Sequence, residues 1–223
     1  MAAAAASADA PAPTGVPSLY TRPGELLGHT LRFRGALPAD QAGQTLQVQR
    51  QQPDGTWTPT ATTTVAPDGS FLARWRTDEI GSFTVRAIVA GAQAQAADSS
   101  PLTTSVTIYR PARATWFGPG FYGKHTACGQ VMSHALLGVA HRTLPCGTPV
   151  AVFYGGKSIT VPVVDRGPFA NGARYDLTSA VAQAIGMMQT STVGVVPQRG
   201  AQMAPPTPSP SPYAGTGGVA PSP

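Results

Sequence analysis

The sequence predicts an all-β chain, with an N-terminal immunoglobulin-like or fibronectin-like β-sandwich followed by a small closed β-barrel carrying one short helix. Three observations lead there. Between Glu25 and Tyr109, short alternating segments are separated by Asp-Gly turns, the signature of a sandwich. After Ala114 come further strand-like runs, Val150 to Tyr154 and Ile159 to Val164, apolar at nearly every position as in strands buried on both faces. Only one stretch, from Asp176 to Gly186, has helical periodicity, and many strands with a single helix fit a small barrel.

Taken in order, residues 1–24 form an Ala- and Pro-rich leader. It has no basic n-region, but Ala6-Ser7-Ala8 resembles a small-residue processing site, so the stretch reads either as the remnant of an incomplete export signal or as a flexible, disordered leader. Residues 25–110 form the sandwich. Its segments are Thr30 to Arg34, Thr45 to Arg50, the Thr-rich run opened by Trp57, Phe71 to Trp75, Gly81 to Val89 and Thr104 to Tyr109. Pro53-Asp54-Gly55 and Pro67-Asp68-Gly69 are the turns. Trp57, Trp75, Phe33, Phe71 and Phe83 are its expected core. Arg110-Pro111-Ala112-Arg113 reads as a joint, and residues 111–198 form the barrel. Asp176 is the expected N-cap of the helix and Gly186 its C-cap. Residues 199–223, rich in Pro, Ser and Gly, form a disordered tail.

Composition narrows the function. The net charge of +5 suits an anionic polymer, yet the basic residues are scattered singly, so no nucleic-acid patch is expected. No apolar run approaches the roughly 20 residues of a membrane span. Cys128 and Cys146 are the only cysteines and read as one disulfide, worth about 3 kcal/mol in the chain-entropy model. The alternative is a zinc site shared with nearby histidines, although the spacing fits no C-x2-C pair. No metal or cofactor is expected.

Two acids, Asp165 and Asp176, are all that the chain holds from Pro111 onward. Asp165 ends a strand-forming run and enters a Gly-Pro turn, a place where a scaffold presents a group for acid–base work; the alternative is a salt bridge to Arg166 or Arg174. His141, just before a Pro turn, either orients a substrate hydroxyl or bonds to backbone. Ordinary glycoside hydrolysis uses two carboxylates, and Asp176 is assigned to the helix cap, so chemistry needing a single acid/base is favoured. Gly-x-Ser-x-Gly, P-loop and HExxH patterns are absent, which removes support for ester hydrolysis, NTP use and zinc proteolysis.

Five blocks then carry a resemblance. They are Trp116 to Gly123, Thr126-Ala127-Cys128-Gly129, Ala140 to Thr148, Asp165-Arg166-Gly167-Pro168-Phe169 and Asp176-Leu177-Thr178. In this order they resemble the rare lipoprotein A family. The resemblance implies a six-stranded double-psi β-barrel, shared with expansins and barwin-like proteins. It also implies lytic transglycosylase action on peptidoglycan glycan strands, leaving an anhydro end without water as nucleophile. Asp165 matches the family's catalytic aspartate and His141 its active-site histidine. Gln130 stands where the family has glutamate, and is read with Tyr122, Thr126 and Arg166 as substrate-binding. A monomer secreted to the cell wall, acting on peptidoglycan or a related polysaccharide, is the expected whole. Because glutamine cannot exchange a proton, the alternative is a non-catalytic, expansin-like glycan-binding or wall-loosening module, and a barwin-style protein-binding barrel is a third.

Overall fold

The computed structural model describes residues 16–91, 102–170, 172–198, 200 and 203. The expected processing site at Ala6-Ser7-Ala8 and nearly all of the tail lie outside the described residues. Eight strands come first: β1 (Ser18–Thr21), β2 (Gly24–Leu26), β3 (Thr30–Ala36), β4 (Thr45–Gln51), β5 (Trp57–Thr64), β6 (Ser70–Arg76), β7 (Gly81–Val89) and β8 (Leu102–Phe117). Strands β1, β3 and β6 make one sheet. In the other, β5, β4, β7 and β8 follow in order and β2 lies parallel on β8. Leu31, Phe33 and Trp75 from the first sheet pack against Val48, Phe83, Val85 and Ile108 from the second, so the two share one core. The two sheets thus form a β-sandwich. Asp54 and Asp68 close their turns as Asx acceptors, each taking a backbone N–H two residues on at 2.9 Å.

Three details differ from the sequence reading. Ser18–Thr21, placed in the leader, is a strand, because its backbone pairs antiparallel with β3. Trp57 is not in the core but half-exposed, its ring covered by the Arg86 guanidinium at 4.1 Å. The joint at 110–113 is the middle of the continuous 16-residue strand β8. Pro111 does not break it but sits within its ladder, opposite Gly194.

The barrel follows with β9 (Val139–Ala140), β10 (Pro149–Tyr154), β11 (Lys157–Asp165), β12 (Tyr175–Thr178), helix α1 (Ser179–Ile185) and β13 (Ser191–Pro197). Its six strands run β12, β9, β11, β10, β13 and the C-terminal half of β8, and a parallel β12–β8 pair closes the circle. Val139, Val150, Val152, Val163, Leu177 and Val193 fill the interior. Gly138 has to be glycine, since a Cβ there would stand 2.4 Å from Val164. Gly186 closes the helix in the left-handed conformation, as its position foretold.

The start of the helix does not follow the sequence reading. Its N-cap is Thr178, whose side chain makes no capping bond, and Asp176 belongs to β12. Tyr175 and Leu177 are both buried in the barrel core, so the period-two alternation of a strand turns Asp176 between them to the other face.

Candidate active site

Four residues on four strands build the floor of the site. Asp165 on β11 is the partner of Ala140 on β9, Ala140 is the partner of Asp176 on β12, and Asp176 is the partner of Thr115 on β8. Residues directly opposite across a ladder share a face, so Asp165, Ala140, Asp176 and Thr115 form one row. All four line a groove of about 490 Å³. Trp116, Phe117, Phe121 and Phe169 wall it with aromatic surface, and Phe169 is 77% exposed. The groove is thus an open trough with carboxylates on its floor and flat apolar rings on its flanks.

Asp165 is held by its backbone neighbours rather than by a cation. Its Oδ1 accepts the N–H of Ala127 and that of Arg166, both at 2.8 Å. Among the described residues it makes no ion pair. The Arg166 guanidinium is turned away, donating to the carbonyls of Leu144 at 2.8 Å and His141 at 3.4 Å. Arg166 therefore lines the groove while its charged end fixes the loop behind it.

His141 follows β9 directly, and its N–H bonds the Asp165 carbonyl at 3.1 Å. The N–H groups of Thr143 and Leu144 donate to its Nδ1 at 3.2 and 3.0 Å, so the neutral ring carries its proton on Nε2. Burial, and then Arg174, Arg166 and Arg142, hold its pKa below the ordinary imidazole value. The ring leans on Tyr175 at 4.8 Å between centroids. His141 touches the Asp165 segment through the backbone, but it is not among the groove-lining residues.

Gln130 and Thr126 pair with each other. The Thr126 hydroxyl donates to Gln130 Oε1 at 3.2 Å, and Thr126 N–H bonds the Gln130 carbonyl at 2.8 Å. Together they shape the turn that presents the Ala127 N–H to Asp165. Tyr122 donates its hydroxyl to Ser179 at 3.0 Å and stacks on His134. None of these three lines the groove. Cys128 and Cys146 form a disulfide, which ties this turn to the segment after His141. With both sulfurs bonded to each other, the zinc alternative has no thiolate to use.

Asp176, which the sequence reading assigned to a cap, stands out here. One of its oxygens, Oδ1, is sealed from solvent and has no hydrogen-bond partner among the described residues. Burial raises its pKa above the ordinary carboxylate value; a hydrogen bond from Thr115 works against this and the nearby charge of Asp165 adds to it. The signal that could have revealed it was the Tyr175–Leu177 alternation, which is too short to outweigh the helical pattern that follows.

Residues 111–198 match the family model described as lytic transglycolase. They form an RlpA-like double-psi β-barrel. A probable endolytic peptidoglycan transglycosylase RlpA from Synechocystis is 47% identical over 85 residues, which are 37% of this chain and 26% of that protein. Endolytic peptidoglycan transglycosylases RlpA from Campylobacter jejuni and Vibrio cholerae are each 40% identical, over 37% of this chain and 30% and 32% of theirs. The chain thus spans about a third or less of the length of these relatives.

Proposed function

We propose that the protein acts on peptidoglycan glycan strands at the cell wall, outside the cytoplasm, as a lytic transglycosylase-like enzyme with Asp165 as acid/base. The carrying observation is a carboxylate at the end of a strand, without an ion pair among the described residues, on the floor of an aromatic-walled groove in an RlpA-like barrel. Two backbone amides fix its Oδ1, and no described hydrogen bond engages Oδ2, which is left for proton exchange with a bound sugar. The His141 carbonyl and the Arg166 guanidinium brace the loop behind Asp165, so His141 serves the site by positioning. Gln130 acts with Thr126 to hold the amide that Asp165 accepts.

The test is release of anhydro-muropeptides from purified sacculi. Wild type is expected to release them, and Asp165→Asn to lose activity by about 10²–10⁴-fold while still binding sacculi. Binding without any product from wild type would overturn the enzymatic reading.

A second reading rests on Gln130, whose side chain is bonded within its own turn and brings no proton to the site. On it, the barrel is a glycan-binding or wall-loosening module whose aromatic walls do the work. Retention on sacculi would then be insensitive to Asp165→Asn and would fall with Phe169→Ala.

A further inference from the structure

We propose that Asp176 is the proton donor of this groove, working opposite Asp165 as the base. This rests on the transglycosylase reading above and deepens it, because it gives the site two carboxyl groups in place of one.

Placement comes first. Asp165 and Asp176 both pair with Ala140, from opposite sides of β9. Two strand spacings put their Cα atoms about 9–10 Å apart, with both side chains on one face. That span is wide enough to set one carboxyl on each side of a glycosidic bond, and both residues line the same groove.

The second observation is chemical. A carboxylate oxygen that is buried without a donor leaves its charge unsolvated, which costs free energy. Asp176 Oδ1 is such an oxygen. A protonated carboxyl relieves most of that cost, so the surroundings select the acid form. Asp165 differs, since its Oδ1 receives two amide hydrogens. Oδ1 of Asp176 is sealed, so proton exchange is assigned to Oδ2, on a carboxyl that lines the groove and is hydrogen-bonded by Thr115. The two acids thus sit in unlike surroundings, the arrangement by which one site divides donor from acceptor.

The step balances with this pair alone. The Asp176 proton passes to the glycosidic oxygen as its bond to C1 breaks, and the electron pair leaves with that oxygen as a sugar hydroxyl. The C6 hydroxyl oxygen of the retained sugar bonds to C1, and its proton passes to Asp165. The two carboxyls have then exchanged protonation states, and exchange with water restores them.

The full chain is assayed as wild type, Asp165→Asn and Asp176→Asn on two substrates. One is purified sacculi, and the other a soluble glycan fragment whose scissile bond carries a dinitrophenolate leaving group. A leaving group that needs no proton should spare a variant lacking the acid. Asp176→Asn is expected to lose about 10²–10⁴-fold on sacculi but less than about tenfold on the aryl substrate, whereas Asp165→Asn loses on both. Equal losses of Asp176→Asn on both substrates, or near-wild-type rates on sacculi, would overturn the donor role. A reducing end in place of the anhydro end would overturn the transglycosylase reading and leave the donor standing. If wild type turns over neither substrate, the enzymatic reading fails. Carboxyl titration by infrared difference spectroscopy then decides on Asp176 itself. A protonated-carboxyl band that persists above the pH where ordinary aspartates ionise, and is missing in Asp176→Asn, is expected; its absence overturns the assignment.

Discussion

At the residue scale, the titrations of His141 and Asp176 have opposite consequences for stability. His141 Nδ1 accepts two backbone amides, and protonation there would remove both bonds. Its folded pKa is depressed, so the folded state binds fewer protons than the unfolded chain as pH falls below the ordinary imidazole value. The stability His141 contributes is present above that value and is lost as pH drops through its folded pKa. For Asp176 the folded pKa is raised, so its contribution is present below the ordinary carboxylate value and is lost as pH rises through the folded one. In thermal unfolding across a pH series, Asp176→Asn should therefore gain stability relative to wild type at neutral pH and not at strongly acidic pH. His141→Gln should flatten the loss on the acid side of neutrality. An Asp176→Asn curve parallel to wild type at every pH would contradict the first expectation.

At the scale of elements, the disulfide and the turn it anchors govern how firmly Asp165 is held. Cys128 sits one residue after Ala127, whose N–H bonds Asp165, and Cys128 N–H itself reaches the Val164 carbonyl at 3.3 Å. On the other side, Gly147 N–H bonds the Val163 carbonyl at 2.8 Å. The bridge therefore clamps both flanks of the end of β11. Replacing both cysteines by serine is expected to cost about 3 kcal/mol in denaturant unfolding by loop entropy. The same variant should lose turnover beyond that explained by unfolding, because the Ala127 amide is no longer fixed. A stability loss with kcat unchanged would show that the turn holds its place without the bridge.

Over the whole molecule, β8 makes the sandwich and the barrel parts of one structure. It pairs with β7 in the first half and with β13 and β12 in the second. At the seam the Tyr109 and Phe153 rings stack, with centroids 4.9 Å apart. A Cβ at Gly194 would stand 2.5 Å from Tyr109 and 2.8 Å from Leu26, so only glycine lets β13 approach this close. Calorimetry should thus show a single transition for the intact chain. Gly194→Ala is expected to lower its midpoint by several degrees, on the order of 1–3 kcal/mol of overpacking. Two separate transitions, with only the barrel's moved, would mean that the halves are stable independently.

The sequence by itself determined the all-β class, the turns, the strand-rich core and the residues of the motif blocks. These are local matters: alternation, Asp-Gly chemistry and a Gly helix stop are written within a few neighbours, as in Phe71 to Trp75 or at Gly186. That Asp165 ends a strand at the edge of a turn was legible for the same reason. Only the tertiary structure decided what lies across from what. Four strands far apart in the chain had to close before Thr115, Ala140, Asp165 and Asp176 could share a face, and Asp176 changed from helix cap to groove residue because Tyr175 and Leu177 were drawn into the core. The direction of a side chain in a closed barrel is set by non-local packing, and a four-residue strand leading into a helix carries too little local pattern to announce it.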